Sequence, residues 1–306
     1  MERPHVEPDF DLQSHSVESD GALAPADVVA RAAAAGMRLM ALTDHDTVDG
    51  VPEALHAARE HRLRCSPAAE LSSVSGEFED LHVCGYELRY DDPELRATLA
   101  DFRADRGRRI WAMADRLEQL GFALDRSQLK ARERAGAPLG RPHLADAVLA
   151  HRANAARLRA EGIDGKDTLF PPYLVPGAVA YVARSRPTVE EAIDVIHAAG
   201  GVAVWAHPLW DIAERATVLA ALDRFASAGL DGVEVFYAEH DEEQTRLLHA
   251  AASERGLLAT GSADFHGPEH GKFSRFGAFS LYGLEPVLGP IGGGGYATRR
   301  PVSATE

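Results

Sequence analysis

Short apolar segments alternate along this chain with amphipathic helical segments, and polar side chains follow several of the apolar segments. The first apolar segment, Phe10–Leu12, precedes an alanine-rich helical stretch, Pro25–Ala35, which Gly36 ends, and Arg38–Thr43 is apolar again. This alternation is typical of parallel β/α units, in which the loops after successive strands meet at one face. The sequence therefore predicts an α/β fold with one loop-rich face.

The same alternation continues through most of the chain. The later predicted elements are a helix over 52–61, an apolar run Cys65–Leu71, a strand Leu81–Tyr86, a helix Thr188–Ala199, and strands Val202–Ala206, Gly232–Phe236 and Leu257–Gly261. We expect a barrel domain formed by residues 9–92 and 182–287.

Residues 93–181 interrupt this alternation with long, arginine-rich helical patterns, such as Leu95–Leu120, and with glycine and proline punctuation. We expect this segment to be an inserted helical lobe. The tail over 288–306 contains four consecutive glycines and lacks periodic apolar residues, so we expect it to be flexible.

Histidines and carboxylates lie mostly at the ends of the apolar segments. They are His15, Asp20, His45, Glu70, His82, His207, Asp264 and His266. Imidazole and carboxylate are the ligands that hold divalent Zn, Mn or Fe, and they are costly to gather without a cation. The pattern indicates a metallohydrolase.

Composition excludes several classes of protein. A length of 306 residues with 45% hydrophobic content supports one large core with an inserted lobe. The net charge of −15 opposes binding to duplex DNA or to an anionic membrane.

Cys65 and Cys84 form neither a disulfide framework nor a thiolate metal motif. The sequence shows neither a leader pattern nor a membrane-spanning segment, so we expect a cytoplasmic protein, and no protein partner is indicated.

Six motifs, in order, resemble those of the PHP (polymerase and histidinol phosphatase) superfamily over residues 9–280. They are Asp11–Ser16 (DLQSHS), Ser19–Gly21 (SDG), Thr43–Asp46 (TDHD), Glu70–Leu71 (EL), Ala206–Pro208 (AHP) and Ser262–Gly267 (SADFHG). Within the lobe, Gly140–Ala145 (GRPHLA) resembles a block of the nucleoside 3′,5′-bisphosphate phosphatase and 5′-to-3′ RNase type.

The resemblance implies a distorted (β/α)7 TIM-like barrel with two to three divalent ions, Mn, Fe or Zn, at its C-terminal face. It assigns Gln13, His15 and Asp264 to one ion with Glu70 bridging to a second, His82 and His207 to the second ion, and Asp20, His45 and His266 to a third. Gln13 stands where the family has a histidine, and its neutral amide oxygen is a poorer ligand for a transition metal.

The implied activity is a metal-dependent phosphoesterase acting on a 3′,5′-bisphosphate nucleotide or on a short 5′-phosphorylated RNA. A metal-bridging hydroxide held by Glu70 would attack the phosphate. Arg141 would bind a substrate phosphate in a bidentate manner, His143 would contact it or protonate the leaving alcohol, and Asp44 would fix an imidazole. Lys272 and Arg275 are weaker candidates for phosphate contact.

Three alternatives remain open on the sequence. A histidinol-phosphate phosphatase is disfavoured by the Gly140–Ala145 block, whereas the ligand set does not exclude a metal-dependent amidohydrolase. The third alternative is a degenerate, non-catalytic nucleotide-binding protein, which Gln13 motivates.

Overall fold

The computed structural model describes residues 8–76, 78–134, 139–184 and 186–293. The chain divides into two compact units. The sheet unit comprises residues 1–99 and 187–306, and the helical unit comprises residues 100–186.

Among the described residues of the sheet unit, eight strands form two sheets. They are β1 (Phe10–Asp11), β2 (Leu39–Leu42), β3 (Arg64–Pro67), β4 (Ala69–Ser75), β5 (Phe78–Tyr86), β6 (Val202–Trp205), β7 (Gly232–Tyr237) and β8 (Leu258–Ser262). One sheet has the order β1-β2-β3 and is parallel, and the other has the order β4-β5-β6-β7-β8. The fold is therefore of mixed α/β type, as the alternation predicts.

Eleven α-helices lie within the described residues. They are α1 (Pro25–Ala34), α2 (Val51–His61), α3 (Pro93–Gln119), α4 (Arg126–Arg134), α5 (Arg141–Ala150), α6 (Ala155–Ala160), α7 (Lys166–Tyr173), α8 (Val189–Ala198), α9 (Pro208–Asp211), α10 (Arg215–Ser227) and α11 (Glu242–Arg255). Helices α8 and α11 begin with capping boxes, in which the side chains of Thr188 and Asp241 accept from the backbone N–H three residues on.

Strand β5 departs from the predicted parallel pattern, since it is antiparallel to both β4 and β6. The apolar run predicted over Cys65–Leu71 is divided between β3 and β4, and β4 continues to Ser75. Gly76, with φ of 62°, lies in the short turn between β4 and β5. A parallel connection would need a dozen or more residues, so this turn can join only antiparallel strands. Because β5 returns from the far end of β4, His82 reaches the site from within its strand.

The core of the sheet unit lies between strands and helices. On one side, α1 and α2 pack against β2 through a cluster that includes Val28, Val29, Met40, Leu42 and Ala58. All four residues of β2 are buried, as expected for a parallel strand covered on both faces.

Backbone hydrogen bonds also join the two sheets. The amide of Leu12, just after β1, donates to Gly261 O in β8 at 3.2 Å, and His15 N donates to Phe265 O at 2.8 Å. On the other side, Glu70 N donates to Asp44 O at 3.2 Å. The segments that carry the candidate ligands are thereby held in fixed register.

The helical unit has its own hydrophobic core. Its buried side chains include Ile110, Met113, Leu117, Leu144, Val148 and Leu169 from α3, α5 and α7. Within the described parts of the chain, no helix is both long enough and apolar enough to cross a membrane.

The predicted flexible tail differs from the structure over its first residues. Gly289–Gly292 forms a 3-10 helix, Ile291 is buried, and the Ile291 carbonyl accepts from Arg64 Nε at 3.2 Å. The buried side chains of Leu288 and Ile291 anchor this turn, and two such residues leave no periodic pattern in the sequence. Residues 294–306 lie outside the described residues.

We predict that Gly261→Ala destabilises the sheet unit. A Cβ at Gly261 would lie 2.6 Å from both Phe236 Cβ and Phe236 O, so β7 and β8 would have to separate. Overpacking of this kind costs about 1–3 kcal/mol, which chemical denaturation would measure. In the control Gly271→Ala, no atom lies within 4 Å of the new Cβ, and an equal loss there would contradict the clash.

Candidate metal centre

The predicted histidine and carboxylate ligands of the sheet unit converge on one site. They come from the segments after β1, β2, β6 and β8 and from within β4 and β5, namely His15 and Asp20, His45, His207, Asp264 and His266, Glu70, and His82. Residues separated by most of the chain are thus brought together at one face of the sheet unit.

Glu70 lies at the centre of this group and its side chain is fully buried. Its Oε2 accepts from Gln13 Nε2 at 2.9 Å and lies 3.1 Å from His15 Nε2. Its Oε1 lies 2.9 Å from His82 Nδ1 and 3.3 Å from His207 Nε2. A single carboxylate therefore contacts side chains from three different segments of the chain.

Asp20, like Glu70, lies among several histidines, but on the more open side of the site. Its Oδ1 lies 3.5 Å from His15 Nδ1 and 3.6 Å from His266 Nε2, and its Oδ2 lies 3.5 Å from His45 Nε2. Its side chain is 44% exposed, so this end of the site opens to solvent.

Three subsets of these residues have ligand atoms within 4.8 Å of one another. They are His15, Asp20, His45 and His266; His45, Glu70 and His82; and His15, Glu70 and Asp264. His207 adjoins the second subset, with its Nε2 3.3 Å from His82 Nδ1. The subsets correspond closely to the three sets that the resemblance implies, except that His15 and His45 each fall in two of them.

The donor atoms fit a divalent cation. His15 Nε2, His45 Nδ1 and Asp264 Oδ1 are buried and, within the described part of the chain, make no hydrogen bond of good geometry. Such groups are costly to bury unless they are paired or coordinate a metal. Imidazole nitrogens with carboxylate oxygens suit Zn, Mn or Fe rather than a cation that prefers thiolates.

The pKa values of the ionisable groups in the site are shifted in different directions. Burial opposes ionisation of Glu70, but the charges of His45 and His82 and its other partners outweigh burial and hold its pKa well below its usual range. Burial likewise opposes the protonation of His15, yet the carboxylates of Asp264 and Glu70, each 3.1 Å from its Nε2, and the nearby Asp20 raise its pKa well above the ordinary value. Burial lowers the pKa of His45 to about 4. Glu70 thus stays ionised, as a metal ligand must.

Asp44 fixes the loop between His15 and Asp20. Its carboxylate accepts from Ser16 N at 2.7 Å, from Ser16 Oγ at 2.6 Å and from Ser19 Oγ at 2.6 Å. Ser19 Oγ in turn lies 3.5 Å from His15 Nδ1. Asp44, which the sequence assigns to an imidazole, therefore acts on His15 through this serine loop.

Two of the candidate ligands have left-handed backbone conformations. His207 has φ of 31° and Asp264 has φ of 55°. Such conformations are unfavourable for residues other than glycine and are found at functional sites held by their surroundings. The His207 amide donates to Glu234 Oε2 at 2.8 Å. The backbone at His207 therefore orients the imidazole, in addition to the side-chain contacts of the ring.

Sequence reasoning missed three residues that support the ligands. Asp211 Oδ2 lies 3.1 Å from His207 Nδ1, Tyr237 OH donates to Asp264 Oδ2 at 3.0 Å, and Glu234 accepts from the His207 amide. Asp211 lies four residues after His207, the spacing at which side chains meet on a helix. That spacing could have revealed it, whereas Glu234 lies within a strand and gives no such signal.

Arg141 and His143 lie in the helical unit, at the start of α5. Arg141 NH1 donates to Leu174 O at 3.3 Å, and its guanidinium lies 5.9 Å from the ring centre of Phe170. His143 Nδ1 accepts from Gly140 N at 3.1 Å. Their contact with a substrate phosphate stays a prediction.

A cavity of about 320 Å³ opens onto the candidate ligands. It is lined by seven of them and by a second group of side chains that had no predicted role, Asp80, Trp210, Asp211, Tyr237 and Phe273. Its size is at the lower end of the range for small-molecule sites.

Comparison with known proteins connects this site to a family. The PHP domain family matches residues 11–133. A 5′-3′ exoribonuclease of Haemophilus influenzae is 32% identical over 85% of this chain and 90% of its own length, and a 3′,5′-nucleoside bisphosphate phosphatase of Chromobacterium violaceum is 34% identical over 86% and 88%. A solved structure from Bifidobacterium adolescentis, described as a metal-dependent phosphoesterase, is 28% identical, has a TM-score of 0.71, and covers 88% of this chain and 91% of its own. The resemblance of the six motifs is therefore confirmed, and the chain belongs to the PHP domain family.

Proposed function

We propose that this protein is a metal-dependent phosphoesterase that hydrolyses phosphate esters of small nucleotides. The observation that carries the proposal is the buried Glu70 carboxylate, surrounded by His15, His82 and His207 at 2.9–3.3 Å. Relatives named as a nucleoside bisphosphate phosphatase and an exoribonuclease support the same chemistry.

We assign two to three divalent ions to the three overlapping subsets of ligands. When bound, such ions would supply Lewis acidity toward the phosphoryl oxygens and a water acidified for attack near neutral pH. Glu70 lies in two of the subsets and would bridge them. Asp211 and Tyr237 hold His207 and Asp264 in orientation through the bonds at 3.1 and 3.0 Å.

The two sheets would form the wall of a distorted (β/α)7 barrel. The bonds between the segments after β1 and β8, and between Asp44 and Glu70, support this arrangement, because they join the two sheets at two places. The candidate ligands would then occupy the C-terminal face, where barrel enzymes carry their sites.

The substrate would be a nucleoside 3′,5′-bisphosphate or the 5′ end of a short RNA. Relatives that are 32–34% identical to this chain are named a 5′-3′ exoribonuclease and a 3′,5′-nucleoside bisphosphate phosphatase, and the cavity of about 320 Å³ is of a size for a small ligand. Arg141 and His143 remain our candidates for contact with its phosphate, since guanidinium geometry matches paired phosphate oxygens.

Gln13 would position Glu70 instead of binding metal. An ionised carboxylate can only accept, so the Gln13 atom 2.9 Å from Glu70 Oε2 is its amide nitrogen. Its Oε1 is directed to Ser262 Oγ, at 3.4 Å. The amide donor would restrain the bridging carboxylate, at the cost of one ligand of the first ion.

The activity test uses manganese-loaded protein with adenosine 3′,5′-bisphosphate and a short 5′-phosphorylated RNA. We expect phosphate or mononucleotide release, and we expect Asp264→Asn to lose at least about 100-fold, because even the partners of metal ligands are worth 10–100-fold. The control Asp223→Asn removes a carboxylate that is exposed and paired with Arg255. Absence of turnover with full metal occupancy would favour the non-catalytic alternative.

Gln13→His should add one bound ion per chain. An imidazole in place of the amide restores a nitrogen ligand, and elemental analysis after dialysis measures the gain directly, without an activity readout. Gln13→Ala serves as the control, because it removes the donor to Glu70 without adding a ligand. An unchanged metal content in Gln13→His would contradict the expectation.

Metal binding should release protons. The pKa values of His15 and His207 are raised above the ordinary value in the metal-free site because their carboxylate partners outweigh burial, so both imidazoles are protonated at neutral pH. A cation must displace those protons, and its affinity therefore weakens as pH falls. Calorimetry in buffers of different ionisation enthalpy counts the released protons. An exposed-histidine variant, His56→Ala, should release the same number, whereas an affinity that is constant between about pH 6 and pH 8 would contradict the expectation.

A further inference from the structure

An exposed tryptophan stands at the rim of the cavity that contains the candidate metal ligands. The large hydrophobic side chains exposed within the described residues are Val17, Leu120, Val179, Trp210 and Val287. Trp210 is the aromatic member of this set, is 48% exposed, and lines the cavity. An indole exposed at a cavity rim is a candidate contact for a ligand.

The fold ties Trp210 directly to the candidate metal centre. It follows His207 by three residues in α9, and its amide donates to His207 O at 2.9 Å. The ring of Tyr237 lies 5.3 Å from that of His207 and 6.5 Å from the indole. The aromatic rings therefore continue from a candidate ligand to the rim.

Phe273 completes this surface, and its ring centre lies 6.0 Å from that of Tyr237. Its ring lies 5.9 Å from the indole and 5.7 Å from the imidazole of His266. We call Trp210, Tyr237 and Phe273 the aromatic wall. Phe273 and Tyr237 each stand at 69° to the indole, so they support its position by edge contacts and do not stack in parallel on it.

A positive charge accompanies the wall. Lys272 Nζ lies 4.6 Å from the centre of the indole ring and 2.6 Å from Glu239 Oε2. A cation over an aromatic face is attracted by its π electrons. Because Glu239 balances this charge, the contact of the ammonium with the indole serves to hold Trp210 at the rim.

We propose that the aromatic wall is the base-binding subsite, in which the base of a nucleotide stacks on Trp210 while a phosphate lies against the candidate metal ligands. The inference rests on the proposed function and specifies what part of the substrate is recognised. Stacking on an aromatic side chain tolerates any base, because every base has a π-face. The wall would thus select nucleotides over other phosphate esters without selecting one base.

The test compares adenosine 3′,5′-bisphosphate with the corresponding bisphosphate of an abasic tetrahydrofuran sugar. For Trp210→Ala, we expect KM for the nucleotide to rise roughly tenfold to a hundredfold more than KM for the abasic compound. Trp210→Phe keeps a stacking ring and should restore most of the difference. Equal rises in both KM values, or no rise in either, would overturn the inference, since the indole would then shape the site without contacting a base.

A binding measurement separates this inference from the proposed function. The chain has three tryptophans; Trp205 is fully buried, and Trp111 lies in the helical unit, where its Nε1 donates to Glu133 at 2.8 Å. In a Trp111→Phe background, we expect the nucleotide to quench tryptophan fluorescence and the abasic compound to leave it unchanged, and Trp210→Phe should abolish the quenching. Quenching without turnover would contradict the phosphoesterase and support the subsite, whereas turnover without quenching would do the reverse.

Discussion

The Glu70 carboxylate is the group on which the site depends. It is fully buried, and its two oxygens contact the amide of Gln13 and the imidazoles of His15, His82 and His207. These partners come from loops and strands that are distant in sequence, so the carboxylate joins them into one cluster. An ionised carboxylate in the interior without such partners would be strongly unfavourable. Its position therefore fixes the positions of its neighbours.

The surrounding structure restrains the partners in turn. Tyr237 and Asp211 each bond to one candidate ligand, and Asp44 holds the serine loop beside His15. Such supporting contacts make ligands rigid before a cation binds, and rigidity is what allows a site to impose geometry on a substrate. The left-handed backbone at His207 fits the same account, because strain of that kind persists only where the neighbouring contacts over-determine it.

Much of this arrangement was predictable from the sequence, since parallel strands bring the ends of successive segments to one face. That rule anticipated the convergence of His15, His45 and His207. It did not anticipate the antiparallel hairpin of β4 and β5, which depends on a local turn at Gly76 that periodicity does not report. Nor could it find Glu234 or Tyr237, because a polar residue within or at the end of a buried strand becomes meaningful only when its partner across the fold is known.

The ligands of the candidate centre come from both ends of the sheet unit, and this ordering has a consequence for synthesis. His15 is made early and His266 late, with the helical unit made between them. The contacting residues are far apart in the sequence, and contacts between such residues form late in folding. A nascent chain would expose its first histidines well before Asp264 and His266 are available. We therefore expect metal to be acquired after the chain leaves the ribosome, when all the ligands are present together.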